Sequence, residues 1–330
     1  MSRTITIQNT TPRRDIDGNV IDCHDGCLRY FAGRFYLYGT RYGTTDGFTT
    51  ANTYVVYSSD DLTHWTNHGQ LIDRPAEGVY YRPYVVYNPA TRMYVLWFNW
   101  YPKLWEGQFA SAVSETPEGP FRVVRPKIEL VGSTPGDHNL FVDDDGAGYV
   151  VYTDIAGQGH DRHAMTVERL TDDFTASTRE GSDVLDRRVE APAMFKRDGL
   201  YYVVFGHTCC FGPDGADARV FVSESPLGPY RKIGEINRDD AGRIIIPGQQ
   251  TDIAVLPTAD GPVHLWMCDL WGSRPDGVKG HDLQYWSSPL KFNDDGTIQR
   301  LARVDSFTLR LPSRPSARTP SAMRRDEILA

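Results

Sequence analysis

Five times along the chain a tight turn is followed by an aromatic-rich strand: Arg34-Phe-Tyr-Leu-Tyr38, Arg92-Met-Tyr-Val-Leu-Trp97, Gly148-Tyr-Val-Val-Tyr152, Leu200-Tyr-Tyr-Val-Val-Phe205 and Pro262-Val-His-Leu-Trp-Met267. With Tyr36, Tyr94, Tyr149, Tyr202 and His264 as the repeated point, the spacing is roughly 55 residues, the length of a four-stranded propeller blade. An apolar strand precedes each turn, as in Tyr84-Val-Val-Tyr87 and Ala191-Pro-Ala-Met-Phe195. The turns themselves, Ala32-Gly33, Asn88-Pro89, Asp143-Asp-Asp-Gly146, Arg197-Asp-Gly199 and Ala259-Asp-Gly261, carry residues that accept positive φ or bond their own backbone. Third strands recur in step, among them Thr53-Tyr-Val-Val-Tyr57 and Ala218-Arg-Val-Phe-Val222. No helical period of ordinary length competes. The expected fold is all-β, a five-bladed β-propeller.

A ring of blades has no free sheet edge only if the last blade is closed. Residues 1–20 are expected to supply a strand that completes it, giving one catalytic-type domain over 1–310. Residues 311–330 are rich in Pro, Ser and Arg and read as a loosely held tail. Hydrophobic residues make up 40% of the chain, enough for a core, and the formal net charge is −8. Without a concentrated basic face the balance argues against a nucleic-acid partner. No apolar run approaches membrane-spanning length and the first residues lack a signal-peptide pattern, so the chain as given reads as cytoplasmic, or as secreted if an export signal has been removed. Strand periodicity sets no oligomeric state. The five cysteines, Cys23, Cys27, Cys209, Cys210 and Cys268, form neither a disulfide framework nor a zinc-spaced set.

In a propeller the first strand of every blade lines the axis, and the residues leading into these strands meet at one mouth. Here they are His24 with Asp25, Tyr81 with Arg82, Asp137 with His138, Glu190, and Gln249 with Gln250. Three carboxylates from separate blades then point at one cavity. Such convergence suits glycosidic cleavage, in which one carboxyl group stays protonated to donate to the leaving oxygen, a second stays ionised to activate water, and a third tunes the donor by like-charge repulsion. Glu190 is the expected acid, Asp137 its modulator and Asp25 the base. Arg82, held extended before Pro83, offers a fork of donors to hydroxyls or a carboxylate. Trp100, Tyr101 and Trp105 lie in a loop after the second strand of blade two, and Trp271 and the stretch from His207 to Gly215 wall the same mouth as candidate sugar contacts. The pattern requires no cofactor. A structural Ca2+ at the axis is the cation it would accommodate, with His207 as the candidate ligand.

Five blades with Asp137 before His-Asn-Leu-Phe and the run Glu190-Ala-Pro-Ala-Met-Phe195 resemble the glycoside hydrolase family 43 propellers over roughly residues 20–300. The resemblance implies an inverting glycosidase, with the family's Glu-Ala-Pro acid matched at Glu190 and its modulating aspartate at Asp137. Cys23-His-Asp-Gly26, Tyr81-Arg-Pro83 and Gln249-Gln-Thr251 are nearest to the exo-β-1,3-galactanase branch, in which a glutamine holds the water. The chain departs from that branch in having Asp25 in place of a glycine and Tyr81 in place of a glutamate. The implied substrate is an oligosaccharide or glycan-derived glycoside with a terminal galactosyl, arabinofuranosyl or xylosyl residue. The alternatives are a related fructosyl-transferring or mannoside-phosphorolysing enzyme, and a carbohydrate-binding propeller without turnover.

Overall fold

A computed structural model describes residues 2–73, 77–155, 159–208 and 213–312. Almost every ordered segment is a strand, and the strands form five antiparallel meanders arranged as the expected propeller. The inner strands are His24–Phe31, Val79–Asn88, Pro135–Val142, Val189–Arg197 and Gln249–Leu256. Blades one to four have four strands each, and blade five has three among the described residues. The turn residues behave as their chemistry requires. Ala32 and Gly33 both have positive φ (48° and 87°), as do Asp198 and Gly199 (51° and 80°), matching the right-handed twist of the hairpins they close. At Asn88-Pro89 the Asn88 side chain instead accepts the N–H groups of Ala90 and Thr91.

The aromatic residues of the repeat pack between blades. Trp97 and Trp266 are completely buried, and the Trp97 indole donates to the carbonyl of Phe174 at 2.7 Å, tying blade two to blade three. At the axis Asp252 of blade five accepts from the Leu28 N–H and the Arg29 guanidinium of blade one and from the Asn139 amide of blade three. The Tyr84 hydroxyl of blade two donates to the carbonyl of Thr251. This part of the axis is cross-linked by paired protein groups, with Asp252 already neutralised by Arg29.

Ring closure differs from the expected extra strand on blade five. Ser2–Gln8 pairs antiparallel with Ser306–Pro312 as a separate two-stranded ribbon. Its inward residues Ile5, Ile7, Leu309 and Leu311 pack against Leu28, Phe35 and Leu37 of blade one and Leu256, Leu265 and Trp286 of blade five. The outer edge of blade five is met by a side chain. The Asn9 amide donates to the carbonyl of Trp286 at 2.9 Å, and its oxygen accepts the Trp286 N–H at 3.1 Å, reproducing a strand's hydrogen-bond pair with one residue. Leu311 and Pro312 thus belong to the ribbon, and the remainder of the expected tail, 313–330, lies outside the described residues. Cys23, Cys27 and Cys268 are buried free thiols, whereas the Cys209-Cys210 pair lies outside the described residues.

Replacing Asn9 with Ala leaves a buried backbone donor and acceptor at Trp286 without partners. Urea unfolding should show a loss of about 1–3 kcal/mol. An unchanged midpoint would mean that the apolar ribbon alone holds the seam.

Candidate active site

Every inner strand carries a register shift at its leading end: His24/Cys27, Tyr81/Tyr84, Pro135/His138, Glu190/Ala193 and Gln250/Asp252. A bulge leaves one residue out of the ladder and turns its neighbours to a new direction. In three blades the turned residue has positive φ without being glycine: Asp25 at 58°, Arg82 at 49° and Ala191 at 55°. Each N–H released from the ladder finds a side chain on an adjacent blade. Asp25 donates to Asp269 at 2.8 Å, Arg82 to the Thr40 hydroxyl at 3.2 Å, and Ala191 to Asp137 at 3.1 Å. In blade one the residue after Asp25 must be glycine, because a Cβ on Gly26 would lie 1.7 Å from the carbonyl oxygen of Tyr38.

The bulges join the leading residues into a circuit through all five blades. Arg82 Nε is 2.8 Å from Asp137 Oδ1, and the other oxygen of Asp137 accepts the Ala191 N–H beside Glu190. Glu190 Oε1 accepts from the Gln249 amide at 3.2 Å, and the Gln249 oxygen accepts from the Trp271 indole at 2.9 Å. The Trp271 ring lies 5.4 Å from that of His24, and His24 Nδ1 is 2.9 Å from Asp269 Oδ1, whose second oxygen holds the Asp25 N–H. Tyr42 completes the Asp25 surroundings by donating its hydroxyl to Oδ2.

The electrostatics follow from this burial. Loss of solvent pushes the Asp25 carboxyl upward; Arg82 opposes the shift and Asp269 adds to it. Burial alone would lower His24, but Asp269 outweighs it and lifts the imidazole to about 9. The geometry agrees: Nδ1 faces a carboxylate and Nε2 faces the carbonyl of Gly280 at 3.2 Å, two acceptors that only a doubly protonated ring can satisfy. His163 moves the other way, down to about 4 through burial and the proximity of His160, and is neutral at pH 7. Lys279 lies 3.7 Å above the Trp271 ring and 5.0 Å from that of Tyr42, a cation held on aromatic faces.

Of the residues expected at the mouth, Asp25, His24, Arg82, Asp137, Glu190, Gln249 and Trp271 meet in this circuit. Tyr81 adjoins Tyr42 and Tyr101, with ring centres 6.1 and 6.0 Å away. Trp105 covers His160 and His163 at 5.2 and 6.0 Å. Four residues are placed differently. Gln250 points between blades four and five, its amide donating to the carbonyls of Ala191 and Val204 and its oxygen accepting from Trp266. His138 is wholly buried between Tyr84 and Phe109, its imidazole lowered to about 3 by burial and by Arg82. Trp100 stacks on Tyr80 at 6.1 Å and 14° as part of the blade packing. His207 ends its strand opposite Val189 and donates its backbone N–H to Asp217. The groups whose donor atoms converge as a ligand set among the described residues are His160, His163 and Glu190, not His207.

Sequence reasoning missed Tyr42, Asp269, Lys279, His160 and His163. Asp269 had a usable signal, because it stands opposite Gln249 on the second strand of blade five, as Thr40 stands opposite His24 and Asn99 opposite Tyr81. In blades one, two and five the residue facing the leading end of the inner strand is therefore a polar second row of the site. Tyr42 and Lys279 come from loops whose path no periodicity encodes.

The family model of glycosyl hydrolases family 43 matches residues 35–298. The chain belongs to this family. Among curated relatives it is similar to an arabinoxylan arabinofuranohydrolase of Bacillus subtilis, 25% identical over an alignment 264 residues long, gaps included, with 64% of this chain and 50% of that protein covered. It is also similar to a β-D-galactofuranosidase of Aspergillus niger, 26% identical over an alignment 226 residues long, gaps included, with 61% of each covered. The matched regions thus span about half to three-fifths of these relatives' lengths. Among solved structures, an exo-β-1,3-galactanase from Clostridium thermocellum superposes with a TM-score of 0.79 at 26% identity, covering 91% of this chain and 66% of that one.

The His24–Asp269 pair predicts a pH-dependent stability. A histidine raised from 6.5 to about 9 stabilises the fold fully below pH 6.5, and that contribution is lost as pH climbs to about 9. Thermal denaturation between pH 6 and 10 should show this fall, up to about 3 kcal/mol, and His24→Gln should remove it. Parallel pH profiles for the two proteins would place the charge elsewhere.

Proposed function

We propose that the protein is an exo-acting glycoside hydrolase that releases a terminal galactosyl, arabinofuranosyl or xylosyl residue with inversion of configuration. Family membership supports glycoside chemistry, and the named relatives support the arabinofuranosyl and galactosyl classes. The observation that carries the residue assignment is the circuit linking Glu190, Asp137, Arg82 and Asp25 across four blades. In this reading Glu190 protonates the leaving oxygen. Gln249 fixes the orientation of Glu190, and Asp137, ion-paired with Arg82 and bonded beside Glu190, sets the local field. Asp25, oriented by Tyr42, takes the proton of the attacking water. Gln249 is a weaker candidate for holding that water, since its oxygen is engaged by Trp271 and its amide already donates to Glu190.

The terminal sugar is received by an aromatic wall. Phe48, 48% exposed, stands at 6.4 Å from Tyr81 and 6.0 Å from Tyr101, and Tyr81 continues the wall to Tyr42 above Asp25. Rings in this position hold the apolar face of a sugar while the carboxylates and Arg82 meet its hydroxyls.

A panel of nitrophenyl β-galactoside, α-arabinofuranoside, β-xyloside and related glycosides tests the proposal. Glu190→Gln should fold normally yet lower kcat by about 10²–10⁴-fold, and less for a good leaving group that needs no proton. Asp25→Asn should also abolish turnover. In the wild type the acidic limb of kcat/KM should lie above the ordinary carboxylate range, following the upward shift of Asp25. Full activity in either variant would remove that residue from its role.

A further inference from the structure

Beside Glu190, on the side away from Gln249, two imidazoles form a group that the proposed hydrolysis does not use. His160–Arg162 is a single 3₁₀ turn closed by the His163 N–H donating to the carbonyl of His160 at 3.2 Å. In 3₁₀ geometry residues three apart lie on one face, and the rings of His160 and His163 are 5.2 Å apart. The turn is fixed to the strand bearing Glu190, because the carbonyl of His163 accepts the Arg188 N–H at 2.7 Å. His163 Nδ1 thereby lies 3.9 Å from Glu190 Oε2, and one donor atom each of His160, His163 and Glu190 all fall within 4.8 Å of one another.

His163 supplies an independent observation. The residue is only 4% exposed, yet neither of its ring nitrogens has a hydrogen-bond partner among the described residues. A buried polar group without a partner costs about 1–3 kcal/mol and calls for an occupant that the protein does not itself supply. His160, by contrast, is exposed and gives access from solvent. Two imidazole nitrogens and one carboxylate oxygen form a donor set suited to a late first-row divalent cation, with an open position for water. Calcium and magnesium, which favour all-oxygen shells, are poorly served.

We infer that His160, His163 and Glu190 form a binding site for Zn2+ or a similar cation, and that occupancy switches the hydrolase off. Binding itself depends only on the three side chains. The inhibition rests on the proposed role of Glu190, since a carboxylate coordinated to a metal has no proton to give the leaving group. The Trp105 ring, which lies over both histidines, would cover the bound ion.

The test titrates the metal-free full chain with zinc chloride, by calorimetry and by glycoside hydrolysis on the same sample. One equivalent should bind, and hydrolysis should fall with the same midpoint and return on adding a chelator. Loss of an outer-shell partner typically weakens a metal site 10–100-fold. Removing a ligand in His160→Ala, an exposed position that leaves folding intact, should weaken zinc binding at least about tenfold, as should His163→Ala. Absence of binding in the wild type, or equal binding in both variants, overturns the inference. Stoichiometric binding that depends on the histidines but leaves hydrolysis unaffected preserves the site and removes Glu190 from the acid role. Active hydrolysis without zinc binding overturns the metal site and leaves the proposed hydrolysis standing.

Discussion

The site depends on what becomes of backbone groups freed by five bulges. A bulge at the leading end of an inner strand breaks the ladder where no solvent reaches, and an unbonded N–H or carbonyl there is costly. Another blade answers each one described, next to it in the ring or, for Tyr84 and Thr251, across the axis. Asp269 takes the N–H of Asp25, Thr40 that of Arg82 and Asp137 that of Ala191, while Asn99 donates to the carbonyl of Gly136 and Tyr84 to that of Thr251. The positive φ of Asp25, Arg82 and Ala191, which costs about 1–2 kcal/mol for a residue with a side chain, is sustained by these bonds. The strain that aims the side chains and the bonds that hold the ring together are the same feature.

The arrangement also balances charge. Four acids, Asp25, Asp137, Glu190 and Asp269, are gathered in one region, a collection that would repel itself without cations between its members. Arg82 stands between Asp137 and Asp25, while His24, held protonated, faces Asp269. Asp25, Asp137 and Asp269 therefore face fixed positive groups, while Glu190 is met by the neutral amide of Gln249.

How far the sequence discloses this differs by level. The blades were legible because sheet packing repeats the same aromatic and turn chemistry at each turn of the ring, and the three carboxylates were legible because each precedes an inner strand. The choice between adjacent residues was not. Gln249 enters the site while Gln250 holds blade four, and Asp137 enters while His138 sinks between Tyr84 and Phe109, because the bulge resets the two-residue alternation from which a strand's faces are read. Ring closure was likewise out of reach. A strand near the N-terminus was readable, but not its pairing with Ser306–Pro312, nor that Asn9 alone would satisfy the edge at Trp286. The histidines at 160 and 163 carried no motif, since their approach to Glu190 comes from one short turn.

The central claim is that Glu190 and Asp25 act on opposite faces of the scissile bond with a water molecule between them. Following the first-formed sugar by proton NMR, before mutarotation mixes the anomers, tests it most directly. Hydrolysis of a β-linked substrate should yield the α anomer first. The β anomer appearing first would require attack by a protein nucleophile and would contradict the roles assigned to these two carboxyl groups.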